Sequence, residues 1–184
     1  KKNIIGLNKG GKNITIEPGN QIELSGDKLN HIHAACAESQ DYLFELRQVT
    51  KKLDIKIVSA GFDPISKLNE IPNNPKQRYA LMTKDMPLGG ELSLDMMYRT
   101  CGTQLNIDYE SEKDFIKKFK IVNSIVPISI ALFANSSIVE KKNSNYLSYR
   151  SKVWQNTSRG GLPKMFFEEL NFEKYAEFVI NFPI

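Results

Sequence analysis

The sequence predicts an α+β fold built on an antiparallel sheet, and three observations carry that expectation. Stretches with a two-residue period and stretches with a 3.6-residue period both occur along the 184 residues. They do not alternate as regular β-α-β units. No glycine-rich fingerprint follows a strand, as a doubly wound dinucleotide fold would require. Composition adds the bounds. With 41% hydrophobic and 25% charged residues, the chain suits one globular domain or a piece of a larger one. The 2 cysteines cannot provide a disulfide framework. No run reaches the roughly 18 apolar residues of a membrane span; residues 121–134 come closest, and Pro127 interrupts them. A net charge of +4 is only mildly basic, short of a nucleic-acid signature. The expected partners are therefore neither nucleic acid nor membrane, and the expected compartment is the cytoplasm.

Each element has a local reason. Lys9-Gly10-Gly11-Lys12 reads as a turn. Residues 13–17 alternate, with Ile14 and Ile16 on one face and Thr15 and Glu17 on the other. Pro18-Gly19-Asn20 breaks or bulges that strand, and 21–24 resume it. After a turn at Ser25-Gly26-Asp27, Leu29, Ile32, Leu43, Leu46 and Val49 recur at helical steps across 28–53. Residues 55–62 read as a strand, 76–84 as a short helix and 103–109 as a further strand. Ser111 caps a long helix with Glu112 and Asp114 in its first turn. That helix carries Phe115, Phe119 and Val122, and is expected to kink at Pro127. Residues 135–145 read as a polar loop, 146–154 as a short ordered stretch and 155–163 as a glycine-containing loop. An aromatic-rich helix follows over 171–180.

Most familiar catalytic signatures are missing: there is no P-loop, GxSxG, HExxH or CxxC. His31 and His33 fall in the helical stretch, about 200° apart around its axis, a poor chelate. Cys36 and Cys101 read as small buried residues. Four clusters can carry chemistry. In residues 16–26, Glu17 and Glu23 share strand parity with Gln21. A straight strand holds the two carboxylates about 20 Å apart, too far to share an ion. A bend at Pro18-Gly19 would bring them together, and converging carboxylates suit a hard cation such as Mg2+. The plain alternative is an edge strand with solvated acids. In the second cluster Gln104, Asn106 and Asp108 alternate with Leu105 and Ile107, giving one polar and one apolar face. The third sets Arg150 among Tyr146, Tyr149 and Trp154, where a guanidinium can grip a carboxylate or phosphate bidentately or merely cover the indole. The fourth is Lys76-Gln77-Arg78-Tyr79, a basic helix start.

Taken together, these segments resemble the plant-type glutamate–cysteine ligases. The matching stretches are Ile16-Glu-Pro-Gly-Asn-Gln-Ile-Glu-Leu-Ser-Gly26, Leu94-Asp-Met-Met-Tyr-Arg-Thr-Cys101, Thr103-Gln-Leu-Asn-Ile-Asp108, Ala131-Leu-Phe-Ala-Asn-Ser136 and Tyr146-Leu-Ser-Tyr-Arg-Ser-Lys-Val-Trp154. Pro75-Lys-Gln-Arg-Tyr79 and Asn171-Phe-Glu-Lys-Tyr175 match more loosely. The resemblance implies a curved, mainly antiparallel sheet forming a funnel with helices outside, as in the glutamine synthetase and guanido kinase catalytic core. It implies an ATP- and Mg2+-dependent ligase that joins glutamate to cysteine in the first step of glutathione biosynthesis. Its small-molecule substrates would be glutamate, cysteine and ATP. By the same resemblance Glu17, Glu23 and Gln104 bind metal. Arg150 and Gln104 serve catalysis, and Arg150, Asn106, Arg78, Arg99 and Trp154 bind substrate or nucleotide. The alternatives are a ligase with another acceptor amine and a non-catalytic Mg2+- or nucleotide-binding module. Two departures stand out: the loop after Trp154 lacks the family's acidic residue, and Gly102 stands where the family has Thr or a similar residue. The family's chains are longer at both ends, so residues 1–184 are expected to form the central part of a single catalytic domain, inactive alone.

Overall fold

A computed structural model describes residue 4 and residues 6–158, 160–161 and 168–181. Helices and small antiparallel sheets are both present, as the α+β expectation requires. The chain divides into two compact units, Lys1–Ser59 with Pro72–Lys76, and Ala60–Ile71 with Gln77–Ile184.

The first unit is built on a three-stranded antiparallel sheet, β1 (Gly6–Lys9), β2 (Lys12–Glu17) and β3 (Gln21–Ser25), in that order. The predicted turn at Gly10-Gly11 joins β1 to β2. The Pro18-Gly19-Asn20 break is neither bulge nor bend within one strand. It is the turn of a hairpin, which reverses the chain so that β3 pairs with β2. Gly19 (φ 70°) and Asn20 (φ 58°) take the left-handed conformation that these two residue types tolerate best. Helix α1 (Ile32–Lys52) follows. His31 is its N-cap rather than a helical residue: its Nδ1 accepts from the Ala34 amide at 3.1 Å. Buried Glu38 ties α1 to the sheet region, accepting from the Asp27 amide at 3.1 Å and pairing with Lys12 Nζ at 3.3 Å.

The expected strand at 55–62 does not form. Residues 55–60 have no regular structure, Ile55, Ile57 and Val58 are exposed, and only Phe62 makes a bridge, to Thr100. An apolar run without a neighbouring strand cannot build a ladder; the Ile55 amide bonds back to the Thr50 carbonyl at 2.9 Å instead.

Among the described residues the second unit has two cores. Tyr79 of α2 (Gln77–Asp85) packs with Met97 and Tyr98 of α3 (Ser93–Arg99), Met82 and Leu68. Phe115 of α4 (Glu112–Leu132) packs with Leu170 and with Tyr175 and Phe178 of α6 (Phe172–Ile180). Ser111 caps α4 as its sequence predicts, its Oγ accepting from the Asp114 amide; Asn171, read as the first residue of the last helix, is instead its N-cap, its Oδ1 accepting from the Lys174 amide. Helix α4 continues through Pro127, whose missing N–H leaves the Asn123 carbonyl without its helical donor. The polar loop at 135–145 contains a small hairpin, β4 (Ile138–Val139) and β5 (Lys142–Asn143). Its turn residues Glu140 (φ 49°) and Lys141 (φ 65°) give it the twist of a two-residue primed turn. Helix α5 (Tyr149–Gln155) begins inside the stretch read as ordered and runs one residue past it. The glycine-containing loop that follows runs into Leu162 and Pro163, which lie outside the described residues.

The strand expected at 103–109 is absent. The whole of 101–110 is exposed and without regular structure, so Leu105 and Ile107 supply no packed face. No described strand lies alongside to complete a ladder. Cys36 and Cys101 are exposed rather than core residues.

Candidate functional site

The β2–β3 hairpin settles how Glu17 and Glu23 can meet. Directly opposed residues of an antiparallel ladder share a face. Thr15 opposes Glu23, and Glu17 opposes Gln21. Glu17 and Glu23 are therefore diagonal neighbours on one face, about 7–8 Å apart rather than about 20 Å. Glu17 is half-buried and Glu23 exposed. Glu17 Oε1 accepts from Thr15 Oγ1 at 3.0 Å and pairs with Lys76 Nζ at 3.4 Å. Glu23 Oε1 accepts from Ser25 Oγ at 3.4 Å. Asn74 fastens the hairpin by donating from Nδ2 to the Ile16 carbonyl at 3.2 Å. Its Oδ1 is buried and has no partner among the described residues.

This donor set fits Mg2+ in kind. Mg2+ takes hard oxygen ligands, keeps several waters, and needs only one or two protein carboxylates when phosphates complete its shell. The hairpin offers two carboxylates, one of them paired with Lys76, which a cation would have to displace. No group of three or more His, Cys, Asp or Glu capable of holding a metal occurs among the described residues.

Gln104 and Asn106 lie in the second unit. Gln104 Nε2 donates to Asn106 Oδ1 at 2.9 Å, so the two side chains stand on one side of the extended segment, as alternation predicts.

Arg150 is at the start of α5, whose N-cap Ser148 accepts from the Ser151 amide. Its amide donates to Ser136 Oγ at 3.1 Å, its Nε donates to the Cys101 carbonyl at 3.0 Å, and its Cζ lies 5.7 Å from the centre of the Trp154 ring. Cys101 is itself held, its amide donating to the Gly61 carbonyl at 3.1 Å. Burial lowers the Arg150 pKa, but a guanidinium stays charged at any physiological pH. Partial burial of the sulfur, and then the Asp63 carboxylate, push the Cys101 thiol up, with Arg150 acting against them. A raised thiol is a poor nucleophile, so Cys101 serves this site through its backbone. Trp154 Nε1 is buried with no partner among the described residues.

The other predicted residues divide. Arg78 is exposed on α2. Arg99 is 4% exposed, and its Nη1 is committed to Asp95 at 2.9 Å and Glu140 at 3.4 Å while the guanidinium lies over Phe62 at 4.5 Å. Sequence reasoning missed both of its acids. Asp95 was findable, four residues before Arg99 on one helix face; Glu140 was not, because only the fold brings it there. The same holds for Asn74 and Lys76, which reach the hairpin from nearly 60 positions away.

Comparison with known proteins now bears on this arrangement. The family model for Glutamate-cysteine ligase family 2 (GCS2) matches residues 2–184. The chain is 43% identical over 185 residues to the chloroplastic glutamate–cysteine ligase of Nicotiana tabacum, covering 99% of this chain and 35% of that protein. It is 41% identical over 187 residues to glutamate–cysteine ligase A, chloroplastic, of Oryza sativa subsp. japonica, covering 100% of this chain and 38% of the relative. The Arabidopsis thaliana enzyme, also chloroplastic, is 41% identical over 98% of this chain and 35% of its own length. The chain thus spans just over a third of the curated relatives it matches. These names overturn the cytoplasmic expectation, since the relatives are plastid proteins. A compartment address is a separate peptide signal, and the composition of a folded segment does not reveal it. Since the family model covers all but the first residue, the chain belongs to glutamate–cysteine ligase family 2.

Proposed function

We propose that this chain is the central part of a single catalytic domain of an ATP- and Mg2+-dependent glutamate–cysteine ligase, acting in the first step of glutathione biosynthesis. The observation that carries the reading is 41–43% identity to plant glutamate–cysteine ligases along nearly its whole length. In this reading a γ-carboxylate oxygen of glutamate attacks the terminal phosphorus of ATP, and ADP leaves. The amine nitrogen of cysteine then attacks the acyl carbon of γ-glutamyl phosphate, and phosphate leaves with the bonding pair. The reaction needs charge neutralised and attacker and leaving group aligned.

The residues divide this work as follows. Glu17 and Glu23 would hold Mg2+, on a sheet that forms part of a funnel in the complete domain, and Gln104 would serve as a metal-binding and catalytic residue. Mg2+ supplies neutralisation of phosphate charge. Arg150 presents its guanidinium to a substrate carboxylate or phosphate, restrained by the Cys101 carbonyl and the Trp154 ring. Asn106, Arg78 and Arg99 complete the polar lining for substrate and nucleotide. Of these, Arg99 has two nitrogens, Nε and Nη2, without partners among the described residues. The compartment in this reading is the plastid.

The test uses the complete protein that contains this chain. ADP formation should require glutamate and cysteine together, and Arg150→Lys should weaken use of glutamate or ATP by about 1.5–3 kcal/mol, the scale of a hydrogen bond to a charged group. Lys keeps the charge and loses the fork. ADP release that another amine supports better than cysteine would overturn the acceptor assignment. Unchanged kinetic constants with a lowered melting temperature would make Arg150 only a cover for Trp154.

A further inference from the structure

We infer that Gly102 is a positioning residue for Arg150: its missing side chain gives the guanidinium its seat. This deepens the reading above and rests on Arg150 holding an anionic substrate. A Cβ built on Gly102 would stand 2.9 Å from Arg150 Nη2, 3.4 Å from Cζ and 3.6 Å from Nε. The guanidinium thus occupies the space of a side chain at 102. The same backbone step supplies the hydrogen bond that orients it, from Nε to the Cys101 carbonyl at 3.0 Å. With Nε used in this way, both Nη groups remain for a ligand; among the described residues they take no hydrogen-bond partner.

The glycine is required by this space and not by its backbone. Gly102 is not among the residues with positive φ. An alanine there meets only the mobile end of a side chain, so the fold tolerates it while the guanidinium must move. Gly61 is different. It is buried, and a Cβ there would meet Asn135 Oδ1 at 2.6 Å and Arg150 Cδ at 3.4 Å, so substitution there strains the packing itself.

The test is a double-mutant cycle in the complete protein, using Gly102→Ala, Arg150→Ala and both together, with Gly102→Val as a graded step. Arg150→Ala first identifies whether glutamate or ATP depends on the arginine. Gly102→Ala should then raise the KM of that substrate about tenfold with little change in kcat, as a displaced binding group does. Gly102→Val should raise it further. The melting temperature of Gly102→Ala should match the parent, and Gly102→Ala should add nothing in the Arg150→Ala background. Normal constants for Arg150→Ala would overturn the reading of Arg150, and the inference with it. Impaired Arg150→Ala beside normal Gly102→Ala would leave that reading standing and overturn the inference alone. Equal losses from Gly102→Ala in both backgrounds would show that Gly102 acts on something other than Arg150, and would also overturn it.

Discussion

The β2–β3 hairpin and the 103–109 segment carry the same two-residue alternation and end in different structures. The first is a paired ladder from Asn13–Ser25 to Glu17–Gln21. The second is exposed chain without a bonded neighbour among the described strands. Alternation fixes which residues share a face, and both regions obey it: Glu17 and Glu23 in one, the bonded Gln104 and Asn106 in the other. It does not supply a partner. Every extended residue must still satisfy an amide and a carbonyl. In the hairpin, Pro18-Gly19-Asn20 delivers the partner at once; nothing comparable follows Asp108.

The largest expected effect exploits the paired region. In the complete protein, Glu17→Gln or Glu23→Gln should lower turnover at limiting Mg2+ by about 100-fold, the scale of removing one preorganised electrostatic contact. The melting temperature of Glu23→Gln should stay near the parent, because Glu23 is exposed; Glu17→Gln keeps the bond from Thr15 but loses the ion pair with Lys76, at a cost of about 1 kcal/mol. Near-parental rates for both variants would take the carboxylates out of the site. The hairpin would then be a mere edge with solvated acids, and the two regions would differ in pairing alone.

A smaller effect asks what secures the hairpin. Asn74→Ala removes the donor to the Ile16 carbonyl and, with it, the buried Oδ1. Loss of one partly buried hydrogen bond should cost about 1 kcal/mol in urea unfolding of residues 1–184. Gln104→Ala removes a bond of similar length at 2.9 Å, but between exposed groups. It should change stability by less than about 0.5 kcal/mol. Equal costs would mean that 103–109 is as firmly placed as the hairpin.

What the sequence made legible follows the same division. The long helix behind Ser111 was readable to within a few residues, because its cap acts on an amide three positions away. The hairpin carboxylates were legible as a pair and not as a geometry, since a Pro-Gly-Asn break permits a bulge, a bend or a turn. The failures at 55–62 and 103–109 are both apolar or alternating runs that lack a described partner strand. The start of the first helix was read at residue 28, four residues early, which turned the cap His31 into a helical position. Ion pairs formed at a distance, Arg99 with Glu140 and Lys76 with Glu17, left no local signal at all.

The smallest expected effect tests the comparison most directly. Leu105 is 75% exposed, so Leu105→Ser in residues 1–184 removes little buried area and should shift stability by less than about 0.5 kcal/mol. Ile14, half-buried and facing Leu24 across the ladder, should cost about 1–2 kcal/mol when changed to Ser. Amide hydrogen exchange on the same polypeptide should agree, with 103–109 exchanging at nearly unstructured rates and the paired amides of 13–25 slowed. Protection of 103–109 equal to that of β2 would break the comparison, because it would require a ladder there. The complete protein sharpens it. If 103–109 become protected only there, and Leu105→Ser becomes costly only there, a strand from beyond these residues completes the sheet. The alternation then marks an edge awaiting its neighbour, and the exposed Leu105 and Ile107 are the face that neighbour helps to bury.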